Sequence, residues 1–324
     1  MVQICRDFTS LTPDVMLDAV ENATGKALLG FANPYTSYIN RVYELQTTDG
    51  ERFVVKFYRP GRWNEDALRD EHRFVRECAD EEIPVVAPLP LLSGDTLGKV
   101  EDIFFAVFPK RWGRQFEALA DDDWRRLGQI ISRMHMVGAR ADAPGRVVMH
   151  PQHSTRADVN HLREGGYVTA YERPLFFDLA DRIIQHASTL FENVELQRIH
   201  GDCHAQNILE RPGEGLMLID FDDMVVGPTV QDLWMLLPDH AHASRREINL
   251  ILEGYETFQE FDDRTLRLIE PLRAMRMLYF LAWCSKQLDD PNYKQKFPDW
   301  GTAGFWRQQT GDLQRQLNVI TQHA

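Results

Sequence analysis

At 324 residues, 44% of them hydrophobic, the chain is long enough to bury one large core or two smaller ones, and disorder is not the default reading. Its formal charge of −13, from 36 Lys and Arg against 49 Asp and Glu, argues against broad binding to a nucleic-acid backbone and suits a cationic or metal-chelated substrate. Cys5, Cys78, Cys203 and Cys284 form no CxxC pair, so neither a disulfide framework nor a zinc knuckle is indicated and a reducing, cytoplasmic setting is expected.

The opening MVQICRDFTSLTPD lacks a basic region followed by an apolar stretch, and the apolar run from Met277 to Cys284 is too short to span a bilayer. Neither a signal peptide nor membrane insertion is expected. Thr12 and Pro13, followed by DVMLDAVENATG, predict an N-cap, a proline at the first helical position and a helix ending near Gly25. From Phe31 to Tyr58 the pattern changes to strands: NRVYELQ and RFVVKFY flank TTDGE, whose Asp49 and Gly50 signal a hairpin turn. Asn64 to Cys78 reads as a helix, PVVAPLP as a connection, and DIFFAVFP as a strand ending at Pro109.

Beyond Pro109 the pattern is mostly helical. DDDWRRLGQIISRMHMVG places Trp124, Leu127, Ile131, Met134 and Gly138 on one face, with Asp121 to Asp123 complementing the helix dipole and His135 read as a structural histidine. Phe176 to Phe191, Val230 to Leu237, Arg245 to Phe258 and Leu266 to Leu288 are also helical in spacing or composition. The expected class is α+β, with a small strand-rich lobe over residues 1–109 and a larger, mostly helical lobe over 110–324. The sequence shows no internal repeat and no low-complexity tract.

Lys56 lies within a strand on the face shared by Val54 and Tyr58, where it must snorkel or meet a buried anion. Glu71 is centred on an otherwise apolar helical stripe, so the economical expectation is a Lys56–Glu71 pair of the kind that serves a nucleotide phosphate site. In HGDCHAQN, Asp202 and Asn207 are separated by four residues, a spacing that lets one tight loop offer a carboxylate to a hydroxyl and a carboxamide oxygen to a metal. Asp220 follows the apolar strand LMLI, and with Asn207 it makes the incomplete oxygen shell that suits Mg2+ beside phosphate oxygens. Each residue alone reads as a turn or cap, Asp222 and Asp223 included; together they form a site. His200, Cys203 and His204 lack a second ligand cluster and read as loop packing.

IHGDCHAQNIL and LIDFDD resemble the catalytic loop and metal-binding strand of the aminoglycoside phosphotransferase/choline kinase-like family, which shares the protein-kinase fold. NRVYELQ, RFVVKFYRPGRW, FFAVFP, GRQFE, GPTVQDLWMLL and LAW extend the likeness from about Asn40 to Trp283, towards a branch regarded as serine/threonine protein kinases of bacterial stress physiology. The resemblance implies a bilobal kinase-like fold using ATP and Mg2+. It implies Asp202 as catalytic base, Asn207 and Asp220 as metal ligands, Lys56 as the phosphate-contacting lysine and Glu71 as its partner. Asp232 would brace the catalytic loop, Ser37 falls in the loop that covers the nucleotide, and adenine would lie against the connection after Phe108.

Two departures qualify this expectation. ANPYTSY contains no glycine, so a glycine-rich phosphate clamp is absent. Only seven residues, Asp222 to Pro228, separate IDF from the next helix, which leaves no room for a long activation segment. The expected acceptor is a protein Ser or Thr, tested on a generic basic protein. The rivals are a small-molecule kinase acting on a hydroxylated cation such as choline, homoserine or an aminoglycoside, a metallophosphoesterase suggested by GDCHA, and a nucleotide-binding pseudokinase.

Overall fold

Thr12 caps the first helix, Pro13–Thr24: its side chain accepts a hydrogen bond from the Val15 N–H, and Gly25 ends the helix in the left-handed conformation at φ 71°. This helix belongs to a computed structural model that describes residues 8–37, 39–118, 120–288 and 291–322; Cys5 lies outside the described residues. The chain gathers into two units. One comprises Met1–Glu117, Ala143–Arg146 and Ala205–Met224; the other comprises Ala118–Asp142, Val147–His204 and Val225–Ala324.

In the first unit, an antiparallel sheet takes the order Asn33–Pro34, Arg41–Gln46, Arg52–Phe57, Ile103–Pro109, Gly98–Val100. The expected turn at Asp49 and Gly50 joins the second and third of these strands, with Gly50 at φ 95° and its N–H bonded to the Thr47 carbonyl. Alternation along Arg52–Phe57 sends Phe53, Val55 and Phe57 into a core with Met16 and Val20 of the first helix. Lys56 opposes Val42 and Ala106 on the other face. Tyr58, Leu68, Leu97 and Ala106 make a second apolar cluster there, beneath the helix Glu65–Asp80. Asn64 starts that helix by accepting from the Ala67 N–H at 2.8 Å.

The same unit contains a second, three-stranded sheet of Arg114–Gln115, Ile208–Arg211 and Gly215–Leu218. The last two strands form a hairpin, with Ile208 opposite Leu218. Ile219 donates its backbone N–H to the Asn207 carbonyl at 3.0 Å, continuing the ladder one step past the paired strands. Residues 207 and 220 are therefore delivered to the same end of one hairpin.

The second unit is mainly helical, with Asp121–Gly138, Arg156–Glu164, Arg173–Leu190, Arg245–Tyr255, Ile269–Ser285 and Ala303–Gln322 as its longer helices. Val159, Leu162, Phe176, Ile183, Leu278 and Trp306 meet in its core. Asp121–Gly138 and Arg245–Tyr255 pack almost backbone to backbone: a Cβ on Gly128 would fall 1.9 Å from the Ile251 carbonyl oxygen, and one on Gly254 1.9 Å from that of Arg125. The expected Val230 to Leu237 helix is regular only over Gln231–Trp234, as the approach to Pro238 disfavours helical backbone. The expected Leu266 to Leu288 helix is split into a 3-10 turn, Asp263–Leu268, and the helix Ile269–Ser285, whose first turn tolerates Pro271.

Candidate active site

The hairpin end that presents Asn207 and Asp220 faces Lys56 within the first unit. Lys56 Nζ lies 2.6 Å from Asp220 Oδ1. The lysine side chain is only 10% exposed whereas that of Asp220 is 50% exposed, so one partner is fixed in the protein and the other remains accessible to solvent. Burial opposes the charge on Lys56, but Asp220, Asp222 and Glu71 outweigh it and raise its pKa, so the lysine is cationic. Its ammonium lies 5.7 Å from the Tyr58 ring centroid and 5.8 Å from that of Phe108. Asp220 itself adopts a left-handed backbone conformation, φ 61° and ψ 67°, which is uncommon for a residue other than glycine and is concentrated at functional turns.

The expected Lys56–Glu71 pair is not formed. Asp220 takes the lysine, and the nearest cation to Glu71 within ion-pair range is Arg146, at 3.9 Å. Arg146 is buried over the Trp63 ring and donates to the carbonyls of Ala67, Asp222 and Met224, so it is held beside Glu71 by the backbone around it. Glu71 Oε2 has no hydrogen-bond partner. Burial pushes this carboxyl up to about 7, and the charges of Lys56 and Arg146 only partly oppose the rise.

Asp222 and Asp223 are held by another cation that the sequence reading missed. Arg62 pairs with both, reaching Asp223 Oδ1 at 2.5 Å, while Asn40 donates to Asp222 Oδ2 at 3.1 Å. These contacts anchor the turn that follows Asp220. Ser37 is half-buried in the loop between Asn33–Pro34 and Arg41–Gln46, and Phe108 is near the end of its strand.

Asp202 belongs to the second unit. Its Oδ1 accepts from Arg276 Nη2 at 2.5 Å, and His204 Nε2 lies 3.4 Å from Oδ2. Burial alone would raise the carboxyl, but His204, Arg276 and His200 outweigh it and hold it at about 2. The loop carrying Asp202 is braced from below by Asp232, which is fully buried and accepts from the N–H groups of His200 and Gly201, each at 2.8 Å. His135 Nε2 lies 3.1 Å from Asp232, and its Nδ1 3.0 Å from the Tyr255 hydroxyl, so both ring nitrogens are engaged. Arg276 and Asp232 are 74 and 30 residues away from Asp202 along the chain. The one signal for Arg276 is a lone cation within the apolar helical stretch MRMLYFLAW.

The donor set suits a hard divalent cation with phosphate: the accessible Asp220 carboxylate and the carboxamide residue Asn207 at one hairpin end, with Lys56 beside Asp220. A sequence profile of the Phosphotransferase enzyme family matches residues 32–269, and the chain belongs to that family. The fold is kinase-like and the protein is an enzyme of the phosphotransferase class. Among its relatives, Stress response kinase A of Escherichia coli (strain K12) is 38% identical over 97% of this chain and 94% of its own length. Serine/threonine protein kinase RdoA of Salmonella typhimurium (strain LT2) is 35% identical over the same shares. Solved structures with the same fold include amicoumacin kinase hAmiN in complex with AMP-PNP, Ca2+ and Ami, with a TM-score of 0.72, 16% identity, and coverage of 92% of this chain and 93% of that one. Choline kinase LicA from Streptococcus pneumoniae has a TM-score of 0.64 and 14% identity, covering 95% and 98%. Among the described residues no helix is long and apolar enough to cross a membrane.

Proposed function

We propose that this protein is an ATP- and Mg2+-dependent serine/threonine protein kinase of bacterial stress response. The observation that carries the nucleotide half of this reading is Lys56 Nζ at 2.6 Å from Asp220 Oδ1, with the Asn207 carbonyl bonded to the N–H of Ile219, the residue before Asp220. The acceptor half is supported by relatives that cover nearly the whole chain and are named as stress-response and serine/threonine kinases.

In this reading Lys56 contacts ATP phosphate, Ser37 covers the nucleotide and Phe108 lies beside adenine. Asn207 and Asp220 would hold Mg2+, which when bound neutralises charge on the β- and γ-phosphates. Asp202 orients the acceptor hydroxyl and takes up its proton as the oxygen bonds to the γ-phosphorus; the bond from that phosphorus to the β–γ bridging oxygen breaks, and ADP departs with the electron pair. A carboxyl held at about 2 is a weak base, so Asp202 contributes mainly by orientation.

Glu71 acts here through its surroundings, not through a direct contact with Lys56. The turn Phe221–Asp223, the strand Val225–Gly227 and the helix Gln231–Trp234 follow Asp220 in quick succession, which favours a permanently formed loop without activation-segment phosphorylation. A cytoplasmic site of action goes with the reading. The test is incubation of purified protein with labelled ATP and Mg2+, alone and with cell lysate, followed by separation of protein from small molecules. Label in protein Ser or Thr is expected; label confined to a small hydroxylated molecule would establish the small-molecule kinase instead.

A further inference from the structure

Arg276 is the feature of the acceptor side that the reading above leaves unused. The helix Ile269–Ser285 brings its Nη2 to 2.5 Å from Asp202 Oδ1, and its guanidinium lies 5.1 Å from the Tyr279 ring centroid. The side chain is 30% exposed, and among the described residues Asp202 is the one carboxylate it meets. Arginine presents five donors in a planar fork, so one N–H on Asp202 leaves others available to a second anion.

The surroundings have the same character. Arg273, three residues earlier, lies over the Trp234 ring at 4.9 Å, with Glu270 Oε2 3.5 Å from its Nε, so its charge is already met and Arg276 carries the contrast. Phe280 is exposed and stacks on Trp283 at 5.8 Å, so Arg273, Arg276, Phe280 and Trp283 follow one another at helical spacings along one face. His204 adds a further nitrogen against Asp202. Despite the overall charge of −13, the carboxylate that should receive the acceptor is bordered by an arginine. An ammonium-bearing alcohol entering there would meet a like charge at close range, whereas a carboxylate would complete the guanidinium fork.

We propose that Arg276 is a specificity residue that selects acceptors carrying a carboxylate next to the reacting hydroxyl: Ser or Thr within an acidic segment, with an apolar residue lying on Phe280 and Trp283. This rests on the protein-kinase reading, and it reverses the basic-substrate preference that the net charge of the chain suggests.

The test uses the whole protein with ATP, Mg2+ and three peptides that share one Ser acceptor, flanked by Asp and Glu, by Gln and Ala, or by Lys and Arg. The acidic peptide should exceed the neutral one by about ten-fold or more in kcat/KM, chiefly through KM, with the basic peptide lowest. Arg276→Glu should reverse the order, and Arg276→Gln should flatten it. Thermal melting confirms that each variant is folded; if Arg276→Glu is not, the Arg276→Gln comparison decides. Labelling of wild-type substrates without acidic preference, or an unchanged ranking in a folded variant, overturns the role of Arg276 and leaves the protein-kinase reading standing. Labelling of choline or an aminoglycoside with no label in any peptide overturns both.

Discussion

Lys56 ends 2.6 Å from Asp220, while Glu71, the partner its helical position suggested, lies 3.9 Å from Arg146. The lysine therefore ties the large sheet to the hairpin that presents the candidate metal ligands. Lys56→Met and Asp220→Ala should each impair ATP use, and the double variant should lose less than the sum by on the order of 1 kcal/mol. Asp220→Ala should also weaken metal-dependent nucleotide binding. Turnover assays on the single and double variants measure the first effect and calorimetric titration of ATP with and without Mg2+ the second, and an unchanged Mg2+ dependence would remove Asp220 from the metal site.

Glu71 predicts a pH-dependent stability. Its carboxyl is raised by burial from an ordinary 4.5 to about 7, so between those values the folded protein binds a proton that the unfolded chain releases. Stability from this group is complete below about 4.5 and is lost as pH rises through 7, by on the order of 3 kcal/mol. Glu71→Gln, which stays neutral, should gain on the wild type between pH 5 and pH 8. Melting curves at the two pH values check this; a constant difference between the proteins would mean that Glu71 is ionised throughout.

These two residues also mark the limit of what the sequence discloses. Caps at Thr12 and Asn64, the turn at Gly50 and the alternation around Lys56 are local, and each is written within a few residues of the structure it makes. The sequence also shows two charges stranded on apolar elements. Which anion reaches Lys56 depends on how the Ile208–Leu218 hairpin packs, and Asp220 is 164 residues away. Arg146 and Arg276 act across 75 and 74 residues, with no periodic signal tying them to Glu71 or Asp202. The long helix Ala303–Gln322 was missed because its buried face is sparse, with Trp306, Leu313, Leu317 and Ile320 among polar residues and two glycines.

Asp232 should be a major stability determinant of the second unit. It satisfies two backbone donors and lies against His135, all without solvent access to its side chain. Asp232→Ala would leave these groups without their acceptor, at a cost of about 3 kcal/mol or more, since each stranded buried donor costs about 1–3 kcal/mol. Urea unfolding gives the magnitude. A change under about 0.5 kcal/mol, the size expected of a surface substitution, would show that the loop is supported by other contacts.

Asp202 provides the sharpest separation between binding and chemistry. With its carboxyl held at about 2 against an ordinary 3.8, it contributes stability above pH 4 that disappears as pH falls through about 2. It therefore stays ionised across any working pH, and the acid limb of a kcat/KM profile should arise elsewhere and survive in Arg276→Gln. Asp202→Ala should reduce phosphoryl transfer by about 10²- to 10⁴-fold, the usual range for a lost acid–base group, because the hydroxyl loses the group that orients it. ATP affinity should remain roughly intact, since Lys56, Asn207 and Asp220 are untouched by the substitution. Calorimetry and single-turnover transfer on the same sample separate the two quantities: full turnover would exclude Asp202 from the reaction, and loss of ATP binding would assign it to the nucleotide side.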